Sequence, residues 1–106
     1  MEKTRRARTD GSVVHTWKIR GYALIREDRN DWGYWTVEKA DHDLPDVTVR
    51  GYRDNGAEKV AVGVNWASCG IKVPEDAIGY AEKIKTAAFV AELFSEIALN
   101  YIENKG

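Results

Sequence analysis

Cys69 is the only thiol of the chain, and it stands in the segment NWASCG just ahead of a helix start. A thiolate there is favoured by the positive end of the helix dipole. A cysteine nucleophile also needs a base to take its proton. The two histidines, His15 and His42, lie far from it in sequence, one at a strand start and the other in a turn. Asp41, His42, Asp43 and Asp46 form the densest group of potential metal ligands, but their spacing matches no metal loop, and aspartate is a favoured turn residue. Gly70 stands alone before the helix, without the glycine-rich loop and lysine that cradle a phosphate. No catalytic set, metal or cofactor is therefore expected. The expected mode of action is binding.

Basic and aromatic side chains at alternate positions offer a different chemistry. From Val13 to Arg26, Trp17, Ile19, Gly21, Ala23 and Ile25 alternate with Lys18, Arg20, Tyr22, Leu24 and Arg26, a period of two that reads as one strand. EDRNDWG then supplies turn residues, and YWTVEKA resumes the alternation, with Trp35 and Val37 opposite Tyr34, Thr36 and Glu38. DHDLPD is a second turn, VTVRGYR a third strand, DNG a clear hairpin turn and KVAVGVNW a fourth strand. Four strands joined by short polar turns predict an antiparallel meander.

Trp17, Ile19, Ile25, Trp35, Val37, Val47, Val49, Val60, Val62, Val64 and Trp66 form the predicted inward rows. A helix covers only one face of a sheet. The other face is expected to carry five basic residues (Lys18, Arg20, Arg26, Arg50, Lys59) against one acidic residue (Glu38), a local +4 on a chain of formal charge -1. Cations follow phosphates and rings stack on bases, so Lys18, Arg20, Tyr22, Arg26, Tyr34, Arg50, Tyr52 and Lys59 are candidates for binding single-stranded DNA or RNA. Antiparallel strands also place such residues on an ordinary solvated face. Six aspartates in the turns oppose a polyanion near the sheet ends: Asp28, Asp31, Asp41, Asp43, Asp46 and Asp54.

These strands need a cover, and the last third of the chain provides it. Pro74, Glu75 and Asp76 suit the first turn of a helix running from about Pro74 to Glu103. Ala77, Tyr80, Ala81, Ile84, Ala87, Ala88, Ala91, Phe94, Ala98 and Tyr101 recur at helical spacing and define the face on the core. From Ala87 onward a second apolar row follows, Phe89, Val90, Leu93 and Ile97. A helix of about 43 Å overhangs a four-stranded sheet, so this row is expected to pair two copies as a homodimer.

The 106 residues fit one domain, and 43% hydrophobic with 31% charged residues is the balance of a soluble globular chain. One cysteine, no run of 18 apolar residues and no signal-type N-terminus lead to an expectation of a cytoplasmic protein with no membrane partner. Residues 1–12, with Lys3, Arg5, Arg6 and Arg8 and no apolar period, are expected to be a flexible basic arm, leaving 13–106 as a single ββββα domain.

Four strands followed by a pairing helix resemble the dimeric single-stranded-DNA-binding transcriptional coactivators, and less closely the Whirly proteins. The resemblance is one of plan, because the Lys-Gly-Lys stretch of the Whirly group is absent. It implies single-stranded nucleic-acid binding by a dimer. Residues 64–88, VNWASCGIKVPEDAIGYAEKIKTAA, resemble a pattern of small uncharacterised phage and mobile-element proteins, which implies a genetic context and no activity. Trp32, Tyr34 and Trp35 in and after the first turn keep an alternative open: a protein-interaction module, modulating or inhibiting a host or phage protein, anchored by an exposed Trp32.

Overall fold

The computed structural model describes residues 1–65 and 77–105. Among the described residues the chain is α+β, with six strands, β1 (Glu2–Ala7), β2 (Val13–Ile19), β3 (Tyr22–Asp28), β4 (Gly33–Lys39), β5 (Asp46–Asp54) and β6 (Ala57–Asn65), followed by helix α1 (Ala77–Lys105). β1 to β4 form a four-stranded antiparallel sheet in chain order, as in a meander, and β5 with β6 forms a second, two-stranded sheet. The C-terminal helix packs on β5 and β6, so the expected plan of antiparallel sheet and covering helix holds. The strands that fill the plan differ from those expected.

The first difference is at the N-terminus. Residues 2–7 are a strand rather than an unpaired arm, in register Lys3↔Trp17, Arg5↔His15 and Ala7↔Val13 with β2. All six side chains are exposed. An edge strand held by its backbone ladder, with neither face buried, leaves no apolar period to read.

The second difference is decisive for the site. The stretch from Val13 to Arg26 is two strands, broken by a turn at Arg20 (φ 50) and Gly21 (φ 83) that pairs Ile19 with Tyr22. Two consecutive positive φ angles make the tight hairpin turn whose twist suits flanking strands. A two-residue turn also reverses the parity of the alternation. Odd-numbered residues face the core along β2, whereas even-numbered residues do so along β3, so Tyr22, Leu24 and Arg26 point inward. Ala23 and Ile25, expected inside, lie on the opposite face.

The Asn55-Gly56 hairpin forms as expected, with φ 51 and 80. It places Val47, Val49, Val60, Val62 and Val64 on the face toward the helix. From α1, Ala87, Val90, Ala91, Phe94 and Ala98 meet Trp17, Tyr22, Leu24 and Trp35 in one core. Val90 is fully buried (0%) in its own chain and is not available to a partner. Part of the second apolar row is thus absorbed by the core, because the helix lies over two sheets rather than one. Ala81 and Ala88, expected on the core, are exposed.

Among the described residues no helix is long and apolar enough to cross a membrane. Trp66, Cys69, Gly70 and the helix start at Pro74, Glu75 and Asp76 lie outside the described residues, as does the 66–76 part of the 64–88 pattern.

Candidate interaction site

The eight residues expected on one basic face are not brought together. Tyr22 is buried (2%), its hydroxyl donating to the Pro45 carbonyl at 2.6 Å. Arg26 is buried too (1%). Arg20 sits in the hairpin turn with its guanidinium 4.2 Å from the centre of the Phe89 ring. Lys18 and Tyr34 stay on the outer face of the first sheet, where Glu2, Glu27 and Glu38 share the register with Arg6 and Lys18. Arg50, Tyr52 and Lys59 lie on the outer face of the second sheet with Asp46 and Asp54. Lys59 is paired with Asp54 at 3.0 Å. Neither outer face carries the expected excess of positive charge.

Arg26 instead organises the interior. Its Nε donates to Asp28 at 3.0 Å and its Nη1 to Glu58 at 2.6 Å, while the guanidinium lies 4.9 Å from the Trp35 ring and 5.5 Å from Tyr101. The Tyr101 hydroxyl donates to Asp28, and burial, followed by this bond, raises the tyrosine's pKa. Strands β3 and β6 and helix α1 are tied by this one cluster. Gly33 makes room for it: a Cβ there would stand 2.5 Å from both Arg26 Nη2 and Asp28 Oδ1. His15 stacks on Trp17 and meets Tyr101 edge-on, and burial lowers its pKa.

At the far end of β3 the chain builds a different kind of surface. The turn between β3 and β4 is closed by the Arg29 N–H donating to the Trp32 carbonyl at 2.8 Å. Trp32 (49% exposed) stacks on Tyr34 (43% exposed), with ring centres 5.4 Å apart and planes 19° from parallel. Buried Glu27 braces this pair. It accepts from Tyr34, from Arg29 at 3.1 Å and from Arg8 at 2.7 Å. Burial pushes the Glu27 pKa up, but these donors outweigh it and the net displacement is downward. Tyr34 is shifted up, first by the same hydrogen bond to Glu27. Arg29 also reaches Asp10 at 3.6 Å, and Asp10 holds the β1–β2 loop by accepting from the Ser12 hydroxyl and N–H.

A cleft of about 350 Å³ opens beside this tip, walled by Trp32 and Tyr52 (50% exposed), with Arg29 and Arg53 at its sides and Arg26 and Glu58 deeper in. Gly33 and Gly51 line it without side chains. Three guanidinium groups meet two carboxylates there, Asp31 and Glu58, so its field is nearly balanced. The aromatic tip was legible only as an option, since DWGYW tells of rings near a turn and not of which rings stay outside. Glu27, Arg8 and Arg29, which hold it, carried no sequence signal beyond their charge.

Of the four residues expected to pair two helices, only Phe89 is exposed, with Arg20 against its ring; Leu93 and Ile97 are half-buried. The Asp41–Asp46 segment is turn machinery. Asp41 accepts from the Asp43 N–H at 3.0 Å, and Lys39 ties the His42 and Leu44 carbonyls to Asp46. Among the described residues no three His, Cys, Asp or Glu side chains gather as a metal set.

Fold and site together define an α+β chain of two antiparallel sheets under one helix, with an aromatic and arginine-rich tip at one end of the larger sheet. Comparison of the chain with protein-family models, curated proteins and solved structures returned no match.

Proposed function

We propose that this protein acts by binding another protein through the tip formed by Trp32 and Tyr34, with Tyr52 and the arginines of the adjoining cleft completing the contact. The observation that carries the reading is the stacked Trp32–Tyr34 pair, nearly half exposed and held from below by Glu27. Trp, Tyr and Arg dominate the residues whose truncation costs most at protein interfaces. A tip already braced by three donors to one carboxylate loses little further freedom on binding, which raises affinity for a given contact area. The mixed charge of the outer faces fits a partner recognised by shape and apolar burial rather than a polyanion.

The test is capture of the partner from the source cells at about 50 and 500 mM salt, with a photo-crosslinking side chain at the exposed position 30, which lines the same cleft and leaves Trp32 in place, and a control at the exposed position 88. Expected is a crosslink from position 30 alone, retained at the higher salt and lost to competition by wild-type protein but not by Trp32→Ala. Equal crosslinking from both positions, or competition unaffected by Trp32→Ala, removes this reading.

One observation favours single-stranded nucleic acid as a second reading: Trp32 and Tyr52 wall the same cleft, with Arg29 and Arg53 beside them, an arrangement in which a base stacks and a phosphate is held. Anisotropy with labelled single-stranded DNA and RNA separates the two. Phosphate contacts make affinity fall steeply between about 50 and 200 mM salt, and absence of binding at the lower salt retires it.

A further inference from the structure

Among the described residues β1 is the outer strand of the larger sheet, paired on one side only, and every one of its side chains is exposed. Alternate residues along such an edge direct N–H and C=O groups outward, where another strand can take them up. Its charge is one-sided. Lys3 and Arg5 point to the face that bears Trp17 and His15, Arg6 to the other face, and Glu2 is the one acid. Among the described residues none of these three cations has a carboxylate within ion-pair distance, whereas Arg8, just beyond the strand, does.

Directly beside Lys3 lies a groove of about 470 Å³ between β1 and the C-terminal part of α1, lined by Trp17, Ile97, Asn100, Tyr101 and Asn104. The groove exists because the core-side residues of β1 are Lys3, Arg5 and Ala7, none of which fills the space beside Trp17; the Lys3 ammonium stands 5.7 Å from the centre of that ring. A strand added outside β1 would aim alternate side chains at this side of the sheet. One of them, level with Lys3, would enter the groove.

We propose that β1 receives an acidic extended segment of another protein as a fifth strand of the sheet. The segment carries one apolar side chain, level with Lys3, that packs on Trp17 and Tyr101, with carboxylates two residues away on the same face, set against Arg5, and at the adjoining positions on the other face, set against Arg6. Backbone hydrogen bonds supply affinity and the groove with its cationic rim supplies selection. The same charges disfavour the rival occupant, a second copy of β1: antiparallel pairing of two such strands sets cations against cations. This surface is separate from the Trp32 tip and stands or falls without it.

The probe is a labelled nine-residue peptide with a single central Leu, Glu at the two positions on either side of it and Thr elsewhere, titrated against the full chain, beside the same peptide N-methylated at alternate residues and one with Lys in place of Glu. Expected is saturable binding of the Glu peptide that weakens about tenfold or more on N-methylation and with Arg5→Glu plus Arg6→Glu, and is unchanged by Trp32→Ala. Hydrogen exchange of residues 2–7 in the wild-type protein should slow when the peptide is added, a readout independent of how the variants fold. No binding up to about 1 mM, equal binding of the N-methylated peptide, or no slowing of exchange in β1 each overturn the proposal. Slowing of β1 exchange with protein concentration alone, in the absence of peptide, assigns the edge to a second copy and overturns it as well.

Discussion

Arg26 and Glu58, which come from different sheets, meet in a 2.6 Å ion pair with the arginine side chain 1% exposed. A buried charge of this kind contributes little net stability while its partners stand, yet removing one partner leaves it uncompensated. Glu58→Ala is therefore expected to lower unfolding free energy by about 3 kcal/mol, Asp28 remaining as the second partner. Urea midpoints check this. A loss under about 1 kcal/mol would mean that the pair is solvated.

Gly33 and Gly21 are expected to resist even alanine, for different reasons. At Gly33 a Cβ collides with the Arg26–Asp28 pair, so Gly33→Ala should destabilise and shift the fluorescence of Trp35, on whose ring Arg26 lies. At Gly21 the cost, about 1–2 kcal/mol, comes from φ +83 and from Leu44 Cδ1 at 3.1 Å. Chemical denaturation with fluorescence detection measures both.

Adjacent residues Phe89 and Val90 should behave oppositely. Val90→Ala removes two buried methyl groups and leaves a cavity, a loss of about 2–3 kcal/mol, whereas Phe89→Ala should cost under about 1 kcal/mol through the Arg20 contact. Thermal unfolding of the two variants is the comparison.

A homodimer through α1 remains a proposal, and its contacts are now constrained. Among the described residues the exposed large apolar side chains on the helix are Phe89 and Leu99, with exposed Glu92 and Glu96 between them along the chain. Association by this stripe is expected to strengthen between about 50 and 500 mM salt, as the carboxylates are screened. Sedimentation velocity at both salts tests it, and a monomer mass at each removes helix pairing.

Stability should fall on mild acidification through His15. Burial, then the charges of Arg5, Lys3 and Arg26, lower its folded pKa, with Asp28 opposing. The unfolded chain then takes up the proton first, so the contribution is complete above about pH 6.5 and is lost as pH drops below that toward the folded value. His15→Phe, which keeps a ring beside Trp17 and Tyr101, should flatten the slope of urea midpoint against pH between about 6.5 and 5. An unchanged slope would place the acid sensitivity elsewhere.

The sequence by itself determined the class: alternation at period two marks strands, the Asn55-Gly56 turn forms as read, and of the helical row Ala87, Ala91, Phe94 and Ala98 reach the core while Ala88 does not. The strand at residues 2–7 left no such signal, because it buries neither face. What only the tertiary structure decided was the parity after Arg20-Gly21. A turn of two residues inside an unbroken alternation sends Tyr22 and Arg26 into the core and Ile25 out of it, and with that the basic face expected from the sequence dissolves. Burial of Arg26 rests on Asp28, Glu58 and Tyr101 arriving from three elements, and exposure of Trp32 rests on Glu27 being held by Arg8 and Arg29. Each needs a partner far away in the chain, Glu58 and Tyr101 for Arg26 and Arg8 for Glu27, and such agreements are made by packing rather than by spacing.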